Sequence, residues 1–214
     1  MKMKRIKIIS FIVVLIAIIA FIVIRIDFPT VQAKNVVRTH NANVKTLNIN
    51  TEIEISCEKE TLYIIRGNIL GLIEDPLLMY DVNGNVIASA GDDYHFIAQD
   101  THLISVNATK EEIKMVGKIS FFGEQSYDFF VGDEKVAVAR FNRFNTHGKI
   151  KDMSGNVMAE YTSPIVFNDY TVSITSHNTF SDEATNLIFA SYYSDQHADQ
   201  QDRKDRDDSR RKSE

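Results

Sequence analysis

Asp81-Val82-Asn83-Gly84-Asn85-Val86-Ile87-Ala88 closes one strand, turns and opens the next within eight residues. A tight hairpin needs positive φ in its turn, which glycine supplies and Asn and Asp tolerate. The plan recurs in Val131-Gly132-Asp133-Glu134-Lys135-Val136-Ala137 and in Met153-Ser154-Gly155-Asn156-Val157-Met158-Ala159: a short polar turn with glycine, then Val, one residue and Ala. Hairpins at short intervals predict an antiparallel sheet or barrel. Their spacing is unequal, 49 residues from Ala88 to Ala137 and 22 from there to Ala159, so the chain is not a solenoid array.

The flanking sequence keeps the same period of two. Leu47, Ile49, Ile53, Ile55 and Cys57 alternate with Asn48, Asn50, Glu52, Glu54 and Ser56, with Thr51 the one polar exception on the apolar side. This is the pattern of a half-buried strand. Tyr170, Val172 and Ile174 alternate with Thr171, Ser173 and Thr175. Val136, Val138 and Arg140 interleave with Ala137, Ala139 and Phe141, so both faces of that strand are mostly apolar, as over a filled interior with partial outer cover. Thr109 and Glu112 have the spacing to cap a short helix through Ile113 and Met115, while Asn107-Ala108-Thr109 is a glycosylation sequon and marks an exposed loop.

A helix is expected after Ser181, where Asp182 and Glu183 meet the positive end of the helix dipole. Ala184, Leu187, Ile188, Phe189, Ala190, Tyr192 and Tyr193 cover more than one stripe of it, and a helix apolar nearly all round must be surrounded. From residue 197 to 214 no apolar residue follows Ala198 and acids match bases, a composition that predicts a disordered charged tail.

At the other end, Ile8–Ile24 carries no charge and one weakly polar residue, Ser10. As a helix it would span ~26 Å, near the thickness of a bilayer core. The expected organisation is a basic leader at 1–7, a transmembrane anchor at 8–26, a tether at 27–44 and a β domain at 45–196. Val31-Gln32-Ala33 imitates a signal cleavage site, but it lies beyond the apolar core, past Arg25, Asp27 and Pro29. Lys2, Lys4, Arg5 and Lys7 place the N-terminus inside and the domain outside the cell membrane.

Net charge is −5 and the bases are scattered, which gives a nucleic-acid role no electrostatic footprint. One cysteine, Cys57, excludes an intramolecular disulfide and a cysteine-based zinc site, and its parity predicts a buried, inert thiol. No nucleophile elbow, Walker loop or dinucleotide fingerprint is present, so no catalytic residue and no cofactor is expected. Asp92-Asp93-Tyr94-His95 with Asp100 and His102 is the densest group of potential ligands, but it lacks a metal-site spacing and reads as a polar loop. Arg140, Arg143, Lys149 and Lys151 are the most concentrated bases outside the leader and tail. On two arms of a turn at Gly148 they could meet lipid phosphates, or they form a solvated barrel rim.

Leu62-Tyr63-Ile64-Ile65-Arg66-Gly67-Asn68, the Tyr80–Ala88 hairpin, Gly117-Lys118-Ile119-Ser120-Phe121-Phe122 leading into Tyr127-Asp128-Phe129-Phe130-Val131, and Gly155-Asn156-Val157-Met158-Ala159 before an apolar helix resemble the tubby C-terminal-like fold, the group of LURP-one-related proteins and phospholipid scramblases. The resemblance runs from about Thr61 to Gln196. It implies a roughly twelve-stranded antiparallel barrel with the Leu187–Tyr193 helix threaded through it, and it transfers no active site. Scramblase-like members carry their membrane segment near the C-terminus, whereas Ile8–Ile24 is N-terminal here. The expectation is a mainly β, membrane-anchored, non-enzymatic binding or scaffolding module on the outer face, contacting anionic lipid or a protein partner. Scramblase-like lipid translocation and a hydrolase with an assembled site are the alternatives.

Overall fold

Twelve antiparallel strands close into one barrel, each bonded to its sequence neighbours and the first to the last. The computed structural model describes residues 33–47, 50–68, 76–92, 101–118, 125–142, 146–164 and 169–211. In chain order the strands are β1 (Val36–Leu47), β2 (Asn50–Cys57), β3 (Glu60–Asn68), β4 (Leu77–Tyr80), β5 (Val86–Asp92), β6 (Thr101–Val106), β7 (Glu111–Lys118), β8 (Gln125–Val131), β9 (Glu134–Phe141), β10 (His147–Asp152), β11 (Val157–Thr162) and β12 (Tyr170–Thr175), followed by helix α1 (Asp182–Arg211). The anchor expected at 8–26 lies outside the described residues. Among those described, no helix is long and apolar enough to cross a membrane.

Alternation sets the inward face. Ile53, Ile55, Ile65, Met79, Ala88, Ile104, Ile113, Met115, Phe129, Ala137, Ala139, Val172 and Ile174 are buried in the core. Ile113 and Met115 belong to β7, so the cap spacing of Thr109 and Glu112 starts no helix there. Two-residue periodicity across the β6–β7 hairpin overrides it. Cys57 is free and half-buried rather than fully buried, because it ends β2 at the mouth of the barrel beside the exposed turn of Glu58 and Lys59.

Two boundaries differ from the sequence reading. The tether expected to 44 gives way at Val36 to β1, which pairs with both β2 and β12 and closes the ring. Its inward residues His40, Ala42 and Val44 include a polar and a small side chain, too weak a pattern to read as a strand. The tail expected from 197 is helical through Arg211. Extending a helix already nucleated and packed costs little per residue, and Asp199/Arg203, Asp202/Arg206 and Lys204/Asp208 stand at i,i+4 spacing with opposite charges.

The first half of α1 fills the barrel. Asn186 meets His40 of β1 and Tyr193 meets Tyr170 of β12, whereas Glu183 accepts from Tyr63 of β3. Phe189 packs on Phe141 of β9 and Tyr161 of β11, and Tyr192 on Tyr127 of β8 and Phe141. Asp195 lies against His102 of β6. At 3.6 residues per turn, these partners succeed one another round the helix as the strands do round the ring, which places the helix inside it. Ala184, Leu187, Ile188, Phe189, Ala190 and Tyr192 have 0% exposure.

The direct β4–β5 and β10–β11 connections are the same turn. In each, the aspartate (Asp81 or Asp152) takes the backbone N–H and side-chain amide of the asparagine four residues on at 2.8–2.9 Å, and its carbonyl accepts from Gly84 or Gly155 at 3.0 Å. Those glycines hold φ of 84° and 88°. Six strands separate the two hairpins in a ring of twelve, so they stand opposite one another at one end of the barrel. That end also carries the β2–β3, β6–β7 and β8–β9 turns, the start of β1 and the entry of α1.

Candidate functional site: a basic outer wall

The outward parity of β7–β10 selects a row of cations. Lys114 and Lys118 project from β7, Lys135 and Arg140 from β9, and Lys149 and Lys151 from β10. Arg140 stands directly across the ladder from Lys149, and both Arg140 and Lys151 are exposed. Arg143 lies outside the described residues. Thus three of the four bases expected from sequence share one wall, and Lys114, Lys118 and Lys135 join them. Lys114 and Lys118 are two strands away from Arg140 and only strand register brings them beside it, whereas Lys135 lies on the same strand and is turned outward by the register shift between Phe129 and Phe130. Counting parity strand by strand would have found Lys114 and Lys118, but it puts Lys135 on the inward side with Ala137 and Ala139, and only the bulge reverses that.

Two acids sit within this wall, each shared between two bases. Asp128 lies 2.7 Å from Lys118 Nζ and 2.9 Å from Lys135 Nζ. Burial pushes its carboxyl up, but the two ammonium groups outweigh this and hold it below the usual carboxylate range. Glu160 of β11 lies 2.9 Å from His147 Nε2 and 3.2 Å from Lys149 Nζ, and accepts the Ala33 backbone N–H at 2.7 Å. Its pKa is likewise lowered: burial opposes ionisation, and the donors prevail. Six bases stand against four acids, Asp128 and Glu160 among them and Glu112 and Glu134 at the turn side, so the wall is positive on balance.

The opposite wall differs. On β1–β3 the outward charges are Lys45, Glu52, Glu54 and Arg66, and they pair off: Lys45 with Glu54 at 3.1 Å and Arg66 with Glu52 at 3.0 Å. The β12–β1 face presents Thr39, Asn41, Thr171 and Ser173, without charge. Among the described strands, the excess of outward bases over acids therefore lies on one side of the barrel. Val138 and Phe130 lie among the bases, so the wall mixes cations with half-buried apolar side chains.

The acidic and histidine-rich segment behaves differently. Asp92 and His102 face one another across β5–β6, while residues 93–100 lie outside the described set. His102 turns inward, its Nε2 2.9 Å from Asp195 Oδ2, an oxygen that Tyr127 Oη also approaches at 3.4 Å. Among the described residues no group of three or more His, Cys, Asp or Glu is placed to hold a metal ion. A second polar cluster sits at the start of α1, where Asn186 bonds His40 inside the barrel and Asp182 pairs with the exposed Arg38 at 2.9 Å. Sequence periodicity missed both clusters, because they depend on which strand faces which turn of α1. Neither a protein-family model, nor a curated protein, nor a solved structure significantly matches the chain.

Proposed function

We propose that this protein is a membrane-anchored, non-enzymatic binding or scaffolding module of tubby-like, LURP-one-related type, held on the outer face by Ile8–Ile24 and recognising anionic groups with the wall of β7–β10. The observation that carries the reading is the filled barrel. With α1 occupying the interior, recognition falls to the outer surface, and one face of that surface is distinctly basic. Cations near an anionic membrane contribute about 1 kcal/mol each, so even four of the six would give measurable, salt-dependent association. Lipid headgroups and an acidic stretch of a partner protein both fit such a wall.

Protein beginning at Ala33, which retains every strand, should float with phosphatidylglycerol vesicles at low salt and dissociate as screening shortens the electrostatic reach to ~8 Å at 0.15 M. Replacing the exposed Arg140 and Lys151 by Gln, which leaves both lysines of the buried Asp128 in place, should remove most of the flotation without lowering the melting temperature. Binding that survives these replacements sinks the lipid reading. A second reading, hydrolysis, rests on His102, Asp195 and Tyr127 at the far mouth of the barrel, where the pair has the geometry of an oriented base. Loss of a hydrolytic activity in His102→Asn with the fold intact would favour it.

A further inference from the structure

Six of the seven exposed large hydrophobic residues among those described, Val36, Val37, Val82, Val86, Val131 and Met153, lie at the turn end of the barrel; the seventh, Leu103, is on the wall. Val82 and Met153 are the most exposed, at 67% and 61%, and they occupy the same position in the two matching turns. Surface valines scattered singly need no explanation. Six gathered at one end of a barrel, two of them on tips where a polar residue is the ordinary choice, do.

We propose that this end rests on a lipid bilayer, with the Val82 and Met153 tips entering its interfacial layer. The proposal builds on the anchored reading above and adds the orientation of the barrel. Three observations select a bilayer over other occupants. The two tips stand on opposite sides of a twelve-stranded ring, about 24 Å apart for strands spaced ~4.8 Å and tilted ~40°, so a planar partner reaches both at once. The carboxylate of each turn is held ionised by hydrogen bonds within the turn, Asp81 by Asn83 and Asn85 and Asp152 by Asn156, and the exposed residues beyond it carry no charged side chain. The chain also enters at this end, where Asn35 accepts from Ser176 just after β12, and eight residues, at most ~30 Å extended, separate Ala33 from the apolar stretch ending at Ile24.

The remaining exposed charges at this end are mixed and close to balance, with Glu58, Glu60, Glu112, Asp133 and Glu134 against Lys34, Arg38, Lys59 and Lys110. Attraction here is therefore apolar and indifferent to lipid charge, unlike that of the basic wall. With this end down, the wall stands upright and its Lys135 and Lys151 come nearest the headgroups.

The test uses the full chain in phosphatidylcholine vesicles containing nitroxide-labelled lipid. A fluorophore is placed in turn at Val82→Cys, Met153→Cys or Leu103→Cys, in a Cys57→Ser background. The lipid label should quench both tips and spare Leu103, with no relief in 1 M salt, where the screening length is about 3 Å. Val82→Asp, read through the Met153 label, and Met153→Asp, read through the Val82 label, should abolish quenching while the melting temperature holds, since both side chains are exposed. Equal quenching at Leu103, or unquenched tips in a chain that resists carbonate extraction, overturns the proposal and leaves the anchor standing. Tip quenching in a chain that carbonate extracts retires the anchor and keeps the docking end. A chain that is extracted and unquenched retires both, and tips buried in a dimer without lipid assign this end to a second copy instead.

Discussion

Inside the barrel, Asn186 of α1 donates from Nδ2 to His40 Nδ1 of β1 at 2.9 Å, joining the helix to the strand that closes the ring. Accepting at Nδ1 requires the proton on Nε2, which lies 3.7 Å from Asp182. The bond thus selects the neutral tautomer and fixes both the depth and the rotation of the helix.

His40 makes stability depend on pH. Burial lowers its pKa, and Asp182 only partly offsets this. The unfolded chain therefore binds a proton more readily than the folded one. The stabilising contribution is complete above the unfolded pKa of about 6.5 and is lost as pH falls from there toward the folded value. Urea midpoints at pH 7 and pH 5 should differ more for the parent than for His40→Gln.

The helix is a core element rather than a cover. Ile188→Asp or Phe189→Asp buries an unpaired charge and should cost several kcal/mol, out of a typical total of about 5–15, enough to unfold the domain. Truncation after Gln196, the last helix residue seen packed in the barrel, should leave the melting temperature near that of the parent. Circular dichroism melts distinguish these outcomes.

Gly148 faces inward across from Phe141, whose ring stacks on Tyr192 with centroids 3.4 Å apart. A Cβ there would fall on the Phe141 ring. Because Tyr192 stands behind that ring, Gly148→Ala should destabilise by about 1–3 kcal/mol. A denaturant midpoint equal to that of the parent would mean that the aromatic stack can yield.

Asp128 stabilises the fold above the carboxylate range. Its lowered pKa means that the contribution, discounted to about 1 kcal/mol because the lysines are partly exposed, is present near pH 7 and lost as pH falls through the folded value. Asp128→Asn should lower stability at pH 7, converge with the parent in acid, and strengthen flotation on anionic vesicles by releasing Lys118 and Lys135.

Much of this architecture was legible from short-range features. The turns at Gly84 and Gly155 require positive φ, the alternation around Ile53 and Val172 sets which side chains face in, and a helix apolar on every side from Ala184 to Tyr193 demands enclosure. Each of these depends on a few adjacent residues. Other features were not local. That β1 is a strand depends on β2 and β12 supplying its hydrogen bonds, since His40 and Ala42 announce no apolar face. The basic wall depends on register carried across four strands, and the opposition of the Val82 and Met153 tips depends on the ring closing at twelve. Periodicity and turn chemistry are properties of neighbouring residues, whereas register and closure are set by hydrogen bonds between strands distant in the chain, so tertiary structure alone decided which charges share a wall and which turns share an end.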